Sequence, residues 1–361
     1  MRIALSLLVM LTLPLHAAAQ TVAPRIGVGG SFETYSFADP DIIGIESLTL
    51  LSAPFAASIA LGARAELSVS GAWARAELKR DGGSEATIAG PTDTEVRLTV
   101  RLANDVVRLS VVGLAPTGKS GLTIDEADVA GMIAADLLPF RVTSWGSGGG
   151  LGGSVAVAHR AGDVGYGGSI GYVVASEFEP IDGGFDYRPG NQLHVRAAVD
   201  RTIGTTAKAS LQLTYEKYGA DQADGANLFR SGDRLQAVAS YAFALGSASN
   251  GIAYAGYLNR QEGLFDDDRF VVPAENLLFA GAGARLASGR NVFQPQLELR
   301  VLGGDEDAGK GYTAGAGISV ELPAGNALLV PGARIRIGRV ELRPGQESGF
   351  TGGELSFTVR F

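Results

Sequence analysis

The sequence predicts an all-β fold: a transmembrane, antiparallel, up-and-down β-barrel of the outer-membrane type with about 16 strands, 14 being the alternative count. Three observations predict it. The chain opens with an export-type leader, its body alternates apolar and polar residues with period two, and its connections alternate between tight and long.

The leader reads MRIALSLLVMLTLPLHAAAQ, with basic Arg2, an apolar run from Ile3 to Leu15 and the small triplet Ala17, Ala18, Ala19. This is the pattern of a secretory signal peptide, residues 1–19, cleaved before Gln20. The run is too short to span a bilayer, and Pro14 interrupts it. Residues 20–361 then form a single expected outer-membrane β-barrel domain, since no linker, Pro/Ser-rich seam or charge block divides them. Of the 361 residues 51 are Gly and none is Cys, so neither disulfides nor thiol chemistry enters. The net charge of −8 argues against nucleic acid as a partner.

Period-two alternation is clearest in Lys208–Glu216, where Lys208, Ser210, Gln212, Thr214 and Glu216 share one face and Ala209, Leu211, Leu213 and Tyr215 the other. Glu95–Leu102, His194–Asp200 and Glu354–Phe361 repeat the pattern. Candidate strands start near residues 24, 46, 63, 93, 105, 148, 164, 190, 206, 232, 250, 276, 291, 310, 327 and 352, those near 46 and 327 being weakly punctuated. Even-numbered strands end in tight turns: Leu61–Ala63, Ala103–Asp105, Ala161–Asp163, Gly204–Thr205, Gly246–Asn250, Ala287–Arg290 and Pro323–Asn326. Most odd-numbered strands lead into longer, acidic stretches: Lys79–Thr92, Pro116–Gly146, Glu177–Pro189, Gly219–Ser231, Gln261–Glu275 and Gly303–Gly309. Turns on the periplasmic side and loops outside are the outer-membrane arrangement. A bilayer satisfies no backbone N–H or C=O, so strands cross it only as a closed barrel, one face on lipid and the other on the lumen.

Tyr35, Phe37, Tyr215, Tyr241, Phe243 and Tyr257 near strand ends suit aromatic girdles at the two interfaces. Leu355, Phe357, Val359 and Phe361 alternate to a terminal Phe. That ending resembles the strand by which barrel-assembly machinery recognises its clients. Outer-membrane lipid, lipopolysaccharide and that machinery are thus the expected partners, and the cell outer membrane the expected location.

Gly113–Ser120, GLAPTGKS, matches the nucleotide-binding pattern G-x-x-x-x-G-K-[ST]. That chemistry needs a parallel strand before the loop and a helix packed back on the sheet. Here the match falls at the outer end of a barrel strand, so Pro116 and Gly118 read as turn residues and no nucleotide is expected. The same long loop holds the one expected helix. Thr123 and Glu126 fit a capping box, and Val129, Met132, Ile133 and Leu137 form an apolar stripe up to Pro139. Such a helix either lies on the loop crown or folds inward as a constriction.

The stretches ESLTLLSAPFAASIALG (Glu46–Gly62), VVGLAPTGKSGLT and LLPFRVTSWGSGGGLGG resemble outer-membrane transporters of the long-chain fatty-acid and aromatic-hydrocarbon uptake type, including those encoded with phenol-degradation pathways. The similarity covers mainly residues 24–180. It implies diffusion-driven uptake of small hydrophobic molecules with a pocket near the outer mouth. That type has fourteen strands and a plug before the first, whereas here a strand begins by Pro24 or Arg25.

Lumen-lining positions are expected at Arg97, Arg101, Arg108, His194, Arg196, Lys208, Arg234, Arg300, Arg334, Arg336 and Arg360, against Glu66, Glu95, Asp200, Glu216, Glu298 and Glu354. A basic surplus favours anions, whereas paired charges brace the wall. Catalysis has little support, because neither His159 nor His194 neighbours a plausible Ser nucleophile. Asp266–Asp268 and Asp305–Asp307 read as solvated loop tips rather than metal sites, and no cofactor is implied. The expected function is a channel or transporter for passive uptake of small molecules, hydrophobic ones included. The alternative is a structural or surface-interaction barrel with a filled lumen.

Overall fold

The computed structural model describes residues 24–134, 138–266, 271–305, 309–343 and 345–361. The expected signal peptide, Leu137 and most of the acidic tips at 267–268 and 306–307 lie outside the described residues.

The wall begins with β1 (Arg25–Phe37), β2 (Ile45–Leu61) and β3 (Ala65–Arg80), a short helix α1 (Pro40–Ile43) joining the first two. It continues with β4 (Glu85–Pro91), β5 (Thr94–Leu102) and β6 (Val107–Ala115). Helix α2 (Ile124–Ala134) occupies the next loop, before β7 (Gly150–Ala161) and β8 (Val164–Ala175). The short β9 (Tyr187–Arg188) leads to β10 (Gln192–Ile203) and β11 (Ala207–Tyr218). Then come β12 (Ala220–Ala223), β13 (Ala226–Arg230), β14 (Arg234–Ala244), β15 (Asn250–Arg260), β16 (Gly263–Phe265) and β17 (Val271–Val272). The last five are β18 (Glu275–Ser288), β19 (Asn291–Gly304), β20 (Lys310–Ala324), β21 (Ala327–Arg343) and β22 (Gln346–Arg360).

One sheet of 17 strands forms the wall, every pair antiparallel, and β1 pairs with β22 to close it. Strands β4 and β5 both pair with β3, β4 along Trp73–Lys79 and β5 along Ala65–Ser70. They are two halves of one strand broken at Thr92 and Asp93, so the barrel has sixteen wall positions. Ala72 spans the break by donating its N–H to Thr92 Oγ1 at 2.9 Å and accepting from the Thr92 N–H at 2.8 Å. Closure removes every free sheet edge from the wall, as a strand-built membrane protein requires.

The period-two pattern becomes two faces. Ile335 and Leu355 are 68% and 63% exposed on the outer face, inside a band that also includes Phe32, Phe55, Val111 and Phe357. An apolar belt this continuous suits hydrocarbon, not water. Tyr215, Tyr241 and Tyr257 share that exposed face. Tyr35 and Phe37 do not: they are 0% and 8% exposed on the inner face, so their expected girdle role is corrected. Register explains it, because both share the inward parity of Glu33 and face Gly352 and Phe350 across the β1–β22 ladder.

Three further expectations are corrected. Lys79–Thr92 is not a long loop: β3 and β4 form a hairpin turning at residues 81–84, where Gly82 and Gly83 adopt φ of 82° and 83°. The final strand starts at Gln346 rather than near 352, its first residues, QESG, having the polar, Gly-containing composition that loops share. The connections near 177–189, 219–231 and 261–275 carry strands of their own. In chain order β9, β12, β13, β16 and β17 make a second, five-stranded sheet above the wall. Asp221 anchors it, 8% exposed, accepting the Tyr187 hydroxyl and the Gly190 N–H, the latter at 2.7 Å. Burial, then the bond to Asp221, pushes the Tyr187 phenol above its ordinary range.

Candidate functional site

The loop between β6 and β7 decides how the interior is divided. Its helix α2 starts with the expected capping box: Thr123 donates its N–H to Glu126 Oε2 at 3.1 Å, and the Glu126 N–H reaches Thr123 Oγ1 at 3.3 Å. Val129 and Ile133 are fully buried, together with Leu138, Phe140 and Trp145 further along the loop. They pack in one cluster with Leu48, Leu50, Ala74, Ala76, Leu78 and Ile88, all from β2, β3 and β4, and with Val340 and Phe350 from β21 and β22. Inward folding is the outcome, and the loop-crown alternative is set aside.

Small residues on β3 make the seat. Ala74 and Ala76 are 0% exposed, and the Ala74 carbonyl accepts the indole N–H of Trp145 at 3.3 Å. Phe140 meets Tyr35 edge-on at 4.9 Å, and Tyr35 meets Phe350 likewise at 5.6 Å.

The loop's two ends are held by Asp93 at the break in the wall. Asp93 Oδ1 accepts the Gly118 N–H at 2.9 Å, while Oδ2 accepts the Ser147 N–H at 2.7 Å and hydroxyl at 2.6 Å. A Cβ on Gly118 would lie 2.3 Å from the Trp145 carbonyl oxygen, so only glycine lets the outgoing and returning chains pass. This accounts for GLAPTGKS. Gly113 lies within β6, which is antiparallel to both neighbours; the Gly118 amide serves Asp93, and Lys119 pairs with Glu126. Burial alone would raise the Glu126 pKa, but the Lys119 hydrogen bond and those from Thr123 hold it below the ordinary value of 4.5.

Past Phe140 the loop docks on charge. Arg141 donates its backbone N–H to Glu33 Oε1 at 3.2 Å and its Nε to Glu354 Oε1 at 2.9 Å. Glu33 and Glu354 face each other across the β1–β22 ladder and are 0% and 5% exposed. Arg336 gives Nε to Glu298 at 2.8 Å, one terminal nitrogen to the Tyr35 hydroxyl at 3.1 Å and the other to Glu354 Oε2 at 3.2 Å. Arg334 adds contacts to Glu298 at 3.6 Å and Glu354 at 3.4 Å. Three guanidiniums thus meet three carboxylates at the loop's landing point. Direct like-charge opposition of Glu33 and Glu354 is costly in itself, and the arginines offset it.

The eleven basic positions expected in the lumen all fall on the inward register of their strands. The structure brings Arg334 and Arg336 into the landing cluster. Arg97 pairs with Glu95 at 2.9 Å, Lys208 with Asp200 at 3.1 Å, and His194 Nδ1 lies 3.2 Å from Glu216. Arg234 stands over the Tyr218 ring at 5.7 Å. Arg101 faces Arg108 directly across the β5–β6 ladder. Arg101 lies 3.7 Å from Asp105, while Arg108, Arg196 and Arg300 form no ion pair among the described residues. Bracing therefore accounts for about half the set. Glu33, Tyr35, Asp93 and Arg141 were missed by sequence reasoning. Glu33 carries a signal of its own, a carboxylate at an inward position of an alternating strand, whereas Arg141 sits in a loop without periodicity.

No protein-family model matches the chain, and no curated protein matches its sequence. Solved structures do resemble it. OprB of Pseudomonas putida, in its high-pH structure, aligns with 94% of this chain and 94% of its own at a TM-score of 0.53 and 9% identity. OpdQ of Pseudomonas aeruginosa aligns over 94% and 97% at 0.50 and 12%. A triple mutant of the Rhodopseudomonas blastica porin aligns over 94% and 100% at 0.40 and 12%. Fold and site together define a sixteen-stranded antiparallel outer-membrane β-barrel with an infolded loop.

Proposed function

We propose that the protein is a passive outer-membrane channel for small molecules, its passage narrowed by the β6–β7 loop. One observation carries this reading. The loop and its apolar seat bury one side of the interior, from β21 through β1 to β4, whereas on the facing arc Arg108, Arg196 and Lys208 remain exposed at inward positions. Arg108 and Lys208 lie beside tight turns at the rim, but a lumen packed on every side would bury Arg196, in the middle of β10. Exposed cations in an aqueous passage bias it toward anions.

The resemblance to the fatty-acid and aromatic-hydrocarbon uptake type supports small solutes with apolar parts, although sixteen wall positions differ from that type's fourteen. The test is single-channel recording of the purified protein in planar bilayers, with liposome swelling in sugars and aromatic solutes. Discrete openings with modest chloride preference are expected. A protein that folds, inserts and never conducts would end the reading.

A further inference from the structure

On the periplasmic side of the loop's seat the inner wall carries a groove of about 600 Å³. Its floor crosses β22, β1, β2 and β3, where the inward residues are small, Gly27, Ala56, Ser58 and Ser68 among them. Missing side-chain volume on β1, β2 and β3 makes the hollow, and Thr358 and Arg360 of β22 border it. The lining is mainly apolar, with Ser hydroxyls between. That volume falls in the range of small-ligand pockets.

Arg25 and Arg360 line the same groove. Arg360 faces Gly27 in register, which makes Arg25 its diagonal neighbour on the adjacent strand. Neither forms an ion pair among the described residues. Two cations so placed repel each other, and no carboxylate among the described residues lies within ion-pair distance of either. An anion between them would, and the planar guanidinium fork matches a carboxylate. An inorganic anion would leave the apolar floor unused, while a neutral hydrocarbon would desolvate both guanidiniums without replacing their hydrogen bonds.

We infer that this groove is a binding subsite for small amphipathic organic acids, one carboxylate on an apolar body of about one ring, placed on the exit side of the constriction. The inference rests on the channel reading above and names a solute class for it.

The test uses the full-length barrel in planar bilayers, with benzoate added on the periplasmic side and benzyl alcohol as its neutral counterpart. Benzoate is expected to interrupt the current at concentrations where benzyl alcohol does not. The double variant Arg25→Gln, Arg360→Gln should raise the half-blocking concentration about tenfold, the worth of losing charge-assisted bonds. Ser68→Leu, which keeps both charges and fills the floor, should weaken block as well; heat-modifiable gel mobility checks that each variant folds. Equal block by the two probes, or block unchanged in both variants, overturns the inference. If the unmodified protein carries no current but binds radiolabelled benzoate saturably, and the double variant does not, the channel reading falls and the subsite stands.

Discussion

Arg141 is the side chain on which the loop's position turns. Its guanidinium reaches Glu354, while its backbone N–H reaches Glu33, from a segment with no strand partner, so nothing in the ladder would restore the Glu354 contact once lost. Arg141→Gln keeps hydrogen-bonding capacity but removes the charge, at a cost of about 1–3 kcal/mol. Larger single-channel conductance is expected, because the loop is released from the wall; an unchanged conductance would show that the apolar seat alone holds it. Glu354→Ala is more severe. It leaves Arg334 and Arg336 facing a buried gap, a loss of about 3–5 kcal/mol, readable as a lower denaturant midpoint in detergent. Gly118→Val tests the crossing of the loop's ends, since its Cβ has no room beside Trp145. The expected result is current noise from a displaced loop with the barrel's strand content intact by circular dichroism.

Among the elements, α2 is held by packing, by the Lys119–Glu126 pair and by Arg80 of β3, which reaches Asp128 at 2.6 Å and Asp125 at 3.5 Å. Ile133→Ala empties a fully buried position and should cost about 2–5 kcal/mol of local stability, seen as faster amide exchange across residues 124–134. The Lys119–Glu126 pair gives a pH dependence whose sign follows from the lowered Glu126 pKa. A carboxylate held below its ordinary value stabilises the folded loop above about pH 4.5 and loses that contribution as pH falls through the folded value. Acidification should therefore increase closing or flickering, and Glu126→Gln should abolish that component. The helix was legible because capping and apolar spacing are local. Its seat was not, because Ala74 and Ala76 become a docking face only once β3 has a register. The same limit hid the inward placement of Tyr35 and Phe37: aromatic residues near a strand end suit a girdle equally well until parity is counted from a neighbouring ladder. The β3–β4 hairpin is hidden in sequence because its turn, Asp81, Gly82, Gly83 and Ser84, runs without a break into the polar residues beyond it.

At the scale of the molecule, the barrel was legible in full outline, since alternation and turn spacing are what a lipid-facing wall demands of every strand. Strand starts near 46 and 327, weakly marked in sequence, are β2 and β21, among the longest of the wall. The break between β4 and β5 left no comparable mark, because Pro91-Thr92-Asp93 looks like any turn until Asp93 is seen gripping the loop. A closed wall of this size should run faster on gels unboiled than boiled; identical mobility would contradict the closed sheet.

The β1–β22 ladder has a consequence for biogenesis. The first strand made has one of its two partners only when the last has arrived, so a chain halted anywhere before β22 presents two bare, sticky margins. The wall therefore has no free margin only once β22 has paired with β1, and that seam is the contact on which closure depends.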